Sequence, residues 1–181
     1  MGTQFFKNMR DYKTNLMKLS NRIIILLIIG FISCKQTPKE IDIKGPKVVS
    51  GNNKTAYNVL KKMNLDSTYT NLLDPRNVTA DEYKLVAASW AKFHKNLSHF
   101  IKEEKFKWEV SDSTITIMNR IYFDKNGTID YYTFKIKNPS VTDEKIVEYK
   151  RVLQKFSKNV KLDLNRDENY AQCGKIKYKN F

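Results

Sequence analysis

The sequence predicts an α+β protein: an antiparallel sheet of three or four strands packed on two main helices, preceded by an N-terminal signal helix and a flexible tether. Three observations support this fold class. An amphipathic stretch follows Thr79, two β-prone runs flank Asn126-Gly127, and an uncharged apolar decamer occupies residues 23–32. The chain has 181 residues, of which 41% are hydrophobic, so it can bury one sizeable core.

The apolar decamer near the N-terminus reads IIILLIIGFI. A helix of this length is about 15 Å long, which is half the thickness of a bilayer's hydrocarbon core. It has the length of a signal-peptide h-region, and Lys18 and Arg22 supply the positive flank that such a signal needs. We therefore expect residues 1–33 to be a signal peptide. Met17 is an alternative start for it, and a longer n-region is the other explanation of residues 1–16.

The decamer ends in Phe31-Ile32-Ser33-Cys34, which resembles the lipobox of bacterial lipoprotein signal peptides. The resemblance implies that Cys34 is diacylated and becomes the first residue of the mature chain. Two acyl chains are enough to hold a soluble domain at a bilayer, whereas one chain binds only marginally. The other interpretation is a short buried helix ending in a core cysteine, but the charged, proline-containing KQTPKE follows at once.

A polar segment separates Cys34 from the folded part. Residues 34–54 are rich in Lys, Gly and Asn and hold two of the four prolines, a composition typical of a linker. We expect this segment to be a lipidated tether and residues 55–181 to form the α+β domain. A short helix is predicted over residues 56–63.

The longest predicted helix begins at Thr79. Thr79 and Glu82 have the spacing of a capping box, in which each side chain accepts from the other residue's backbone N–H. Apolar residues then recur at intervals of three and four over about 25 residues, as one face of a helix requires. They are Val86, Trp90, Phe93, Leu97, Phe100 and Ile101. This face is expected in the core, together with Trp108.

Strand patterns follow this helix. A short strand is predicted over residues 107–110, and two longer ones over residues 114–124 and 128–137 flank Asn126-Gly127, the preferred pair for a two-residue type I′ turn. That turn would place Lys125 opposite Thr128 and fix the register. The buried face would then carry Ile117 opposite Ile136 and Ile121 opposite Tyr132, with Phe123 and Phe134. The other face would carry Arg120, Tyr122, Tyr131, Thr133 and Lys135.

A second helix is predicted over residues 142–157 and a last strand over residues 175–181. In that strand Lys175, Lys177 and Lys179 alternate with apolar residues, so the three ammonium groups share one face. Such a row blocks unwanted pairing where it lies at a sheet edge. The functional alternative is that the row binds an acidic partner or anionic head groups, with strand addition at the edge.

Motifs for catalysis and metal binding are weak. Residues 124–130 resemble part of a calcium loop but lack its ligand spacing, so the hairpin is the better interpretation. His94 and His99 point about 140° apart on a helix, which predicts two surface histidines rather than a ligand pair. Cys173 is expected to be a structural residue. We therefore expect no catalytic residue, metal site or cofactor.

The segment from residue 120 to 181 runs strand, turn, strand, helix, strand. The runs IYFDKNGTIDYYTFKI, EYKRVLQKF and GKIKYKNF resemble the C-terminal domain of the TonB energy transducers. Because that family's transmembrane anchor and Pro-rich spanner are absent, the resemblance implies a fold and no energy transduction. With its preceding helix, the segment also resembles small bacterial lipoproteins, which implies location but no activity.

The formal net charge is +14, with 33 Lys and Arg against 19 Asp and Glu. An exported lipoprotein does not meet the genome, so anionic lipids or an acidic envelope protein are expected partners and nucleic acid is not. We expect a non-enzymatic binding or adaptor protein anchored in the cell envelope, at the outer membrane rather than the inner. A cell-envelope enzyme and a toxin-neutralising lipoprotein remain alternatives. Convergent carboxylates in a deep pocket would favour the enzyme, and paired tyrosines or an open strand edge would favour binding.

Overall fold

The computed structural model describes residues 46–181. The expectations for the signal peptide, Cys34 and the first part of the tether lie outside these residues. The described chain forms a five-stranded mixed sheet with three α-helices. In chain order the elements are β1 (Lys47–Ser50), α1 (Lys54–Lys62), β2 (Thr70–Asn71), α2 (Ala80–Glu103), β3 (Thr114–Phe123), β4 (Ile129–Ile136), α3 (Asp143–Asn159) and β5 (Tyr170–Lys179).

The sheet has the strand order β1-β4-β3-β5-β2. Its three central strands are antiparallel, while β1 pairs parallel with β4 and β2 pairs parallel with β5. The predicted antiparallel sheet of three or four strands is therefore wrong in both respects. The two missed strands have only four and two residues, too few to show an alternating pattern.

Strand β1 lies in the segment that the sequence predicted as tether. Val48, in the middle of β1, is 3% exposed and pairs with Tyr132. The ordered domain therefore begins earlier than residue 55. Composition misses this strand because proline, glycine and lysine surround it, while the pairing that holds it comes from residues more than 80 positions away.

The β3–β4 hairpin has the predicted register, with Ile117 opposite Ile136 and Ile121 opposite Tyr132. Its turn is different. Gly127 N–H donates to Asp124 O at 3.0 Å, and the Asp124 carboxylate accepts from the backbone N–H of Thr128 at 2.8 Å. Of the central pair only Gly127 has positive φ, at +84°, so this is not a type I′ turn. A register shift after Tyr122 absorbs the longer loop.

Helices α2 and α3 pack on one face of the sheet. The capping box is confirmed: Thr79 Oγ1 accepts from Glu82 N–H, and the Glu82 carboxylate accepts from Thr79 N–H. Phe93 of α2 contacts Phe123, Tyr132 and Phe156, which joins both helices to the sheet. Residues 107–110 are not a strand. Instead, Trp108 is buried against Phe106 and Tyr149, in an irregular segment where Glu109 has positive φ.

Strand β5 starts at Tyr170, five residues before the predicted start, and pairs with β3 along its whole length. The missed part includes Ala171 and Gln172, both fully buried. Both faces of the strand are covered at this point, so its residues do not alternate between buried and exposed. The period-two pattern that identifies a strand in the sequence is therefore missing here.

Candidate functional site: a basic sheet face with an open strand edge

The face of the sheet opposite α2 and α3 is basic. Strand alternation places on it a set of cations from three neighbouring strands, which we call the basic face: Arg120, Lys135, Lys175, Lys177 and Lys179. Within the described residues, Arg120 is the one member that has a carboxylate partner, with its guanidinium 2.7 Å from Asp66. The four lysines are exposed and have no carboxylate partner in residues 46–181, so within this range the face carries a local excess of positive charge.

The β5 lysines lie where alternation predicted them. The three lysines are exposed. Between them, Tyr178 lies in the core and is 3% exposed, and Ile176 is half-buried and packs against the core. Their cross-strand neighbours on β3 are Met118, Thr116 and Thr114, none of which bears a charge. The lysine row therefore has no opposing carboxylate across the strand pair that could neutralise it.

Within residues 46–181, one edge of β5 has no neighbouring strand over most of its length. Strand β2 covers only Tyr170 and Ala171, and Leu72 N–H donates to Ala171 O at 2.9 Å. Since hydrogen-bonding direction alternates along a strand, odd-numbered residues of β5 direct their backbone groups away from β3. In the described part of the chain, the backbone groups of Lys175 and Lys177 thus face an unoccupied edge.

Helix α1 crosses the basic face, because β1 and β2 lie at opposite edges of the sheet. It is held at both ends. Before it, the Asn52 side chain donates to Ile136 O and accepts from Ile136 N–H, each at 3.0 Å. After it, Asp66 accepts from Arg120 and from the Tyr122 hydroxyl at 3.0 Å. Burial raises the pKa of Tyr122, so its hydroxyl stays neutral and can donate.

The middle of α1 is loosely packed. Leu60 is its one buried residue, and Tyr57 and Val59 are 39% and 62% exposed. A cavity of about 600 Å³ separates the helix from the sheet. Among residues 46–181 its lining includes Lys54, Tyr57, Met118, Arg120, Lys135 and Cys173, and none of the lining residues in this range is a carboxylate. Sequence patterning placed Arg120 and Lys135 on this face. It did not associate Lys54 or Tyr57 with them, because that juxtaposition depends on where α1 crosses.

Tyrosines pair beside this cavity. Tyr122 and Tyr131 are cross-strand neighbours with ring centroids 6.2 Å apart, and Tyr69 contacts both rings edge-on. The Tyr69 hydroxyl donates to Asp130 at 2.9 Å. Burial and the Asp130 carboxylate raise the pKa of Tyr69, so this group too stays neutral. Tyr69 and Tyr122 are buried and the three rings meet edge-on, so the cluster is a small satellite core under this side of the sheet, and only Tyr131 is partly exposed.

In the part of the chain that the structure describes, nucleophilic and metal-binding groups are not brought together. The Cys173 thiol is half-buried, and burial raises its pKa, which opposes thiolate formation. His94 is 5% exposed, so its prediction as a surface residue is wrong: it lies on the core side of β5, in contact with Tyr178. His99 is exposed and lies 3.3 Å from Glu103. Residues 46–181 contain no group of three potential metal ligands.

Comparisons with known proteins do not assign a function to this site, so its interpretation depends on its geometry. No protein-family model, curated protein or solved structure matches the chain. The TonB and lipoprotein resemblances therefore stay predictions. Over the residues that the structure describes, no helix is both long and apolar enough to cross a bilayer.

Proposed function

We propose that the protein is a lipid-anchored, non-enzymatic binding protein of the bacterial cell envelope that presents its basic face to an anionic partner. The observation that best supports this function is the lysine row of β5, which has no carboxylate partner in the described residues and lies along an edge that no described strand covers beyond Ala171. Attachment through Cys34, at the outer membrane rather than the inner, rests on the lipobox resemblance.

The row has the spacing of an added strand. Alternate residues of a strand lie about 6.6–6.8 Å apart, so acidic side chains at alternate positions of an extended partner match the three lysines. Backbone hydrogen bonds to the open edge would supply affinity, and the charge pairs would select the partner. A second copy of this chain fits poorly there, because two β5 edges would bring like charges together.

The lysines could instead serve only to prevent edge pairing, and salt dependence separates the two roles. Exposed charge contacts weaken as the Debye length falls from about 10 Å at 0.1 M salt to about 3 Å at 1 M. The test measures binding of the mature chain, residues 34–181 with Cys34→Ser and without the apolar decamer, to anionic vesicles and to isolated envelopes over that range. The substitution keeps acyl insertion from masking the contact.

The informative variant replaces Lys175, Lys177 and Lys179 with Gln. Its matched control makes the same change to Gln at Lys95, Lys107 and Lys158. These three lysines are exposed and have no carboxylate partner in residues 46–181. We expect the first variant to lose binding at 0.1 M salt and the control to retain it. Equal binding by the two variants and the wild type would leave the row with a protective role only.

A further inference from the structure

We infer that the cavity between α1 and the sheet is a binding site for a small anionic amphiphile, that is, an apolar body carrying one acidic head group. The site is distinct from the β5 lysine row and does not depend on the partner proposed above. Three properties of the cavity lead to this ligand class: how it is held open, which charges line it, and which apolar side chains line it.

The cavity is held open by the two attachments of α1. Asn52 fixes the chain to β4 before the helix, and Asp66 fixes it to β3 after the helix. Between these points, Leu60 is the one residue of α1 that becomes buried. The space beneath the helix therefore exists before any ligand binds. Its volume of about 600 Å³ falls in the usual range for small-molecule sites.

The charges in the lining favour an acidic head group. Lys54 and Lys135 have no carboxylate within salt-bridge distance in the described residues, whereas Asp66 already neutralises Arg120. Two positive charges are thus left over. In addition, the Nε of Arg120 is buried and has no hydrogen-bond partner in this part of the chain. A phosphate or carboxylate oxygen in the cavity would supply acceptors for all three groups.

The rest of the lining favours an apolar body. The Tyr57 ring on α1 and the Met118 side chain on β3 line the cavity, and the thioether of methionine adapts to ligands of varied shape. Cys173 is also part of the lining, and its thiol is protonated because burial raises its pKa. A single medium-length acyl or alkyl chain suits this volume, whereas a whole two-chain lipid does not.

The first test compares three probes that share one chain. Decyl phosphate, decanoate and decanol are titrated by calorimetry, below their micelle concentrations, into the mature chain, residues 34–181 with Cys34→Ser. Because Lys54 and Lys135 are both unpaired in the described residues, we expect decyl phosphate, the most negative probe, to bind most tightly. Decanoate should bind less tightly, and the neutral decanol least. Equal affinity for all three probes would show that the cavity does not recognise the acidic head group, which would overturn the inference. Absence of binding by any of them would overturn it as well.

The second test removes the charges. Replacing both Lys54 and Lys135 with Gln should lower decyl phosphate affinity about fivefold, because each exposed ion pair contributes only weakly, and should leave decanol binding unchanged. The control replaces Lys61 and Lys137 with Gln. Lys61 is on α1 and Lys137 directly follows β4, but neither lines the cavity. An equal loss in the control would indicate a general charge effect and contradict the site.

Cys173 provides a readout of location. In the mature chain carrying Cys34→Ser it is the remaining cysteine, so its alkylation by a maleimide reports on the cavity. Saturating decyl phosphate should slow alkylation in the wild-type background and in the Lys61/Lys137 control. Binding without protection of Cys173 would place the amphiphile elsewhere on the molecule and overturn the assignment.

Discussion

The imidazole Nδ1 of His94, on α2, is in hydrogen-bond contact with the hydroxyl of Tyr178, on β5. This contact joins the long helix to the last strand inside the core. Both residues are buried, and the Trp90 and Phe93 rings pack edge-on against the imidazole. The other imidazole nitrogen, Nε2, has no partner among the described residues. A protonated imidazole would therefore be poorly accommodated here.

His94 should make stability depend on pH. Burial lowers the pKa of His94 to about 3, against about 6.5 when unfolded. Between these values only the unfolded chain binds the proton, so stability is complete above pH 6.5 and falls as the pH falls. We expect the free energy of unfolding to drop by about 1.4 kcal/mol per pH unit below 6.5, or ~2 kcal/mol at pH 5, from this group.

The measurement is urea unfolding from pH 5 to pH 7.5. His94→Gln removes the titrating group, so its unfolding free energy should vary less with pH than that of the wild type. His99→Gln, on the exposed side of the same helix, should keep the wild-type slope. Parallel pH profiles for His94→Gln and the wild type would show that His94 is not held neutral in the folded protein.

Gly127 is expected to be irreplaceable. Its φ is +84°, and a Cβ added there would lie 2.3 Å from the carbonyl oxygen of Leu162. Gly127→Ala should therefore cost ~2 kcal/mol or more in denaturant unfolding, from backbone strain and from this clash. Asn126→Ala is the control, since Asn126 lacks positive φ, and its cost should stay within about 0.5 kcal/mol. Similar losses in both variants would contradict the turn described here.

Asp66 should hold the C-terminal end of α1 in place. Asp66→Ala removes the partner of Arg120 and the acceptor of the Tyr122 hydroxyl. We expect a loss of about 1 kcal/mol in stability and faster amide hydrogen exchange within Lys54–Lys62. Asp163→Ala, which removes an exposed ion pair to Lys92, should change neither. Unchanged exchange in Asp66→Ala would mean that packing alone holds the helix.

Cys34 is expected to carry the lipid. Cys34→Ala should abolish labelling by radioactive palmitate and leave the chain unprocessed or outside the detergent phase, because no acyl chains remain to bind the membrane. Cys173→Ala should keep the label and the wild-type size. Partitioning of Cys34→Ala into detergent at the processed size would refute the lipoprotein assignment.

Local patterns in the sequence account for much of the sheet and of the two main helices. The capping residues Thr79 and Glu82 mark the start of α2, and period-two alternation identifies the buried face of β3 and β4. The same alternation groups Arg120 with Lys135 on one face of the hairpin and the three lysines on one face of β5, while the β3–β5 pairing that joins the two groups is tertiary. The local features are readable because each depends on residues close together in the chain.

The tertiary structure alone determined the parallel edges, the burial of His94 and the cavity. Strands β1 and β2 exist because β4 and β5 offer edges to pair with, and their own sequences are too short to show a pattern. His94 is buried because β5 packs over that side of α2. Lys54 and Tyr57 meet Arg120 only because α1 connects opposite edges of the sheet. Such juxtapositions join distant parts of the chain, and local periodicity carries no information about them.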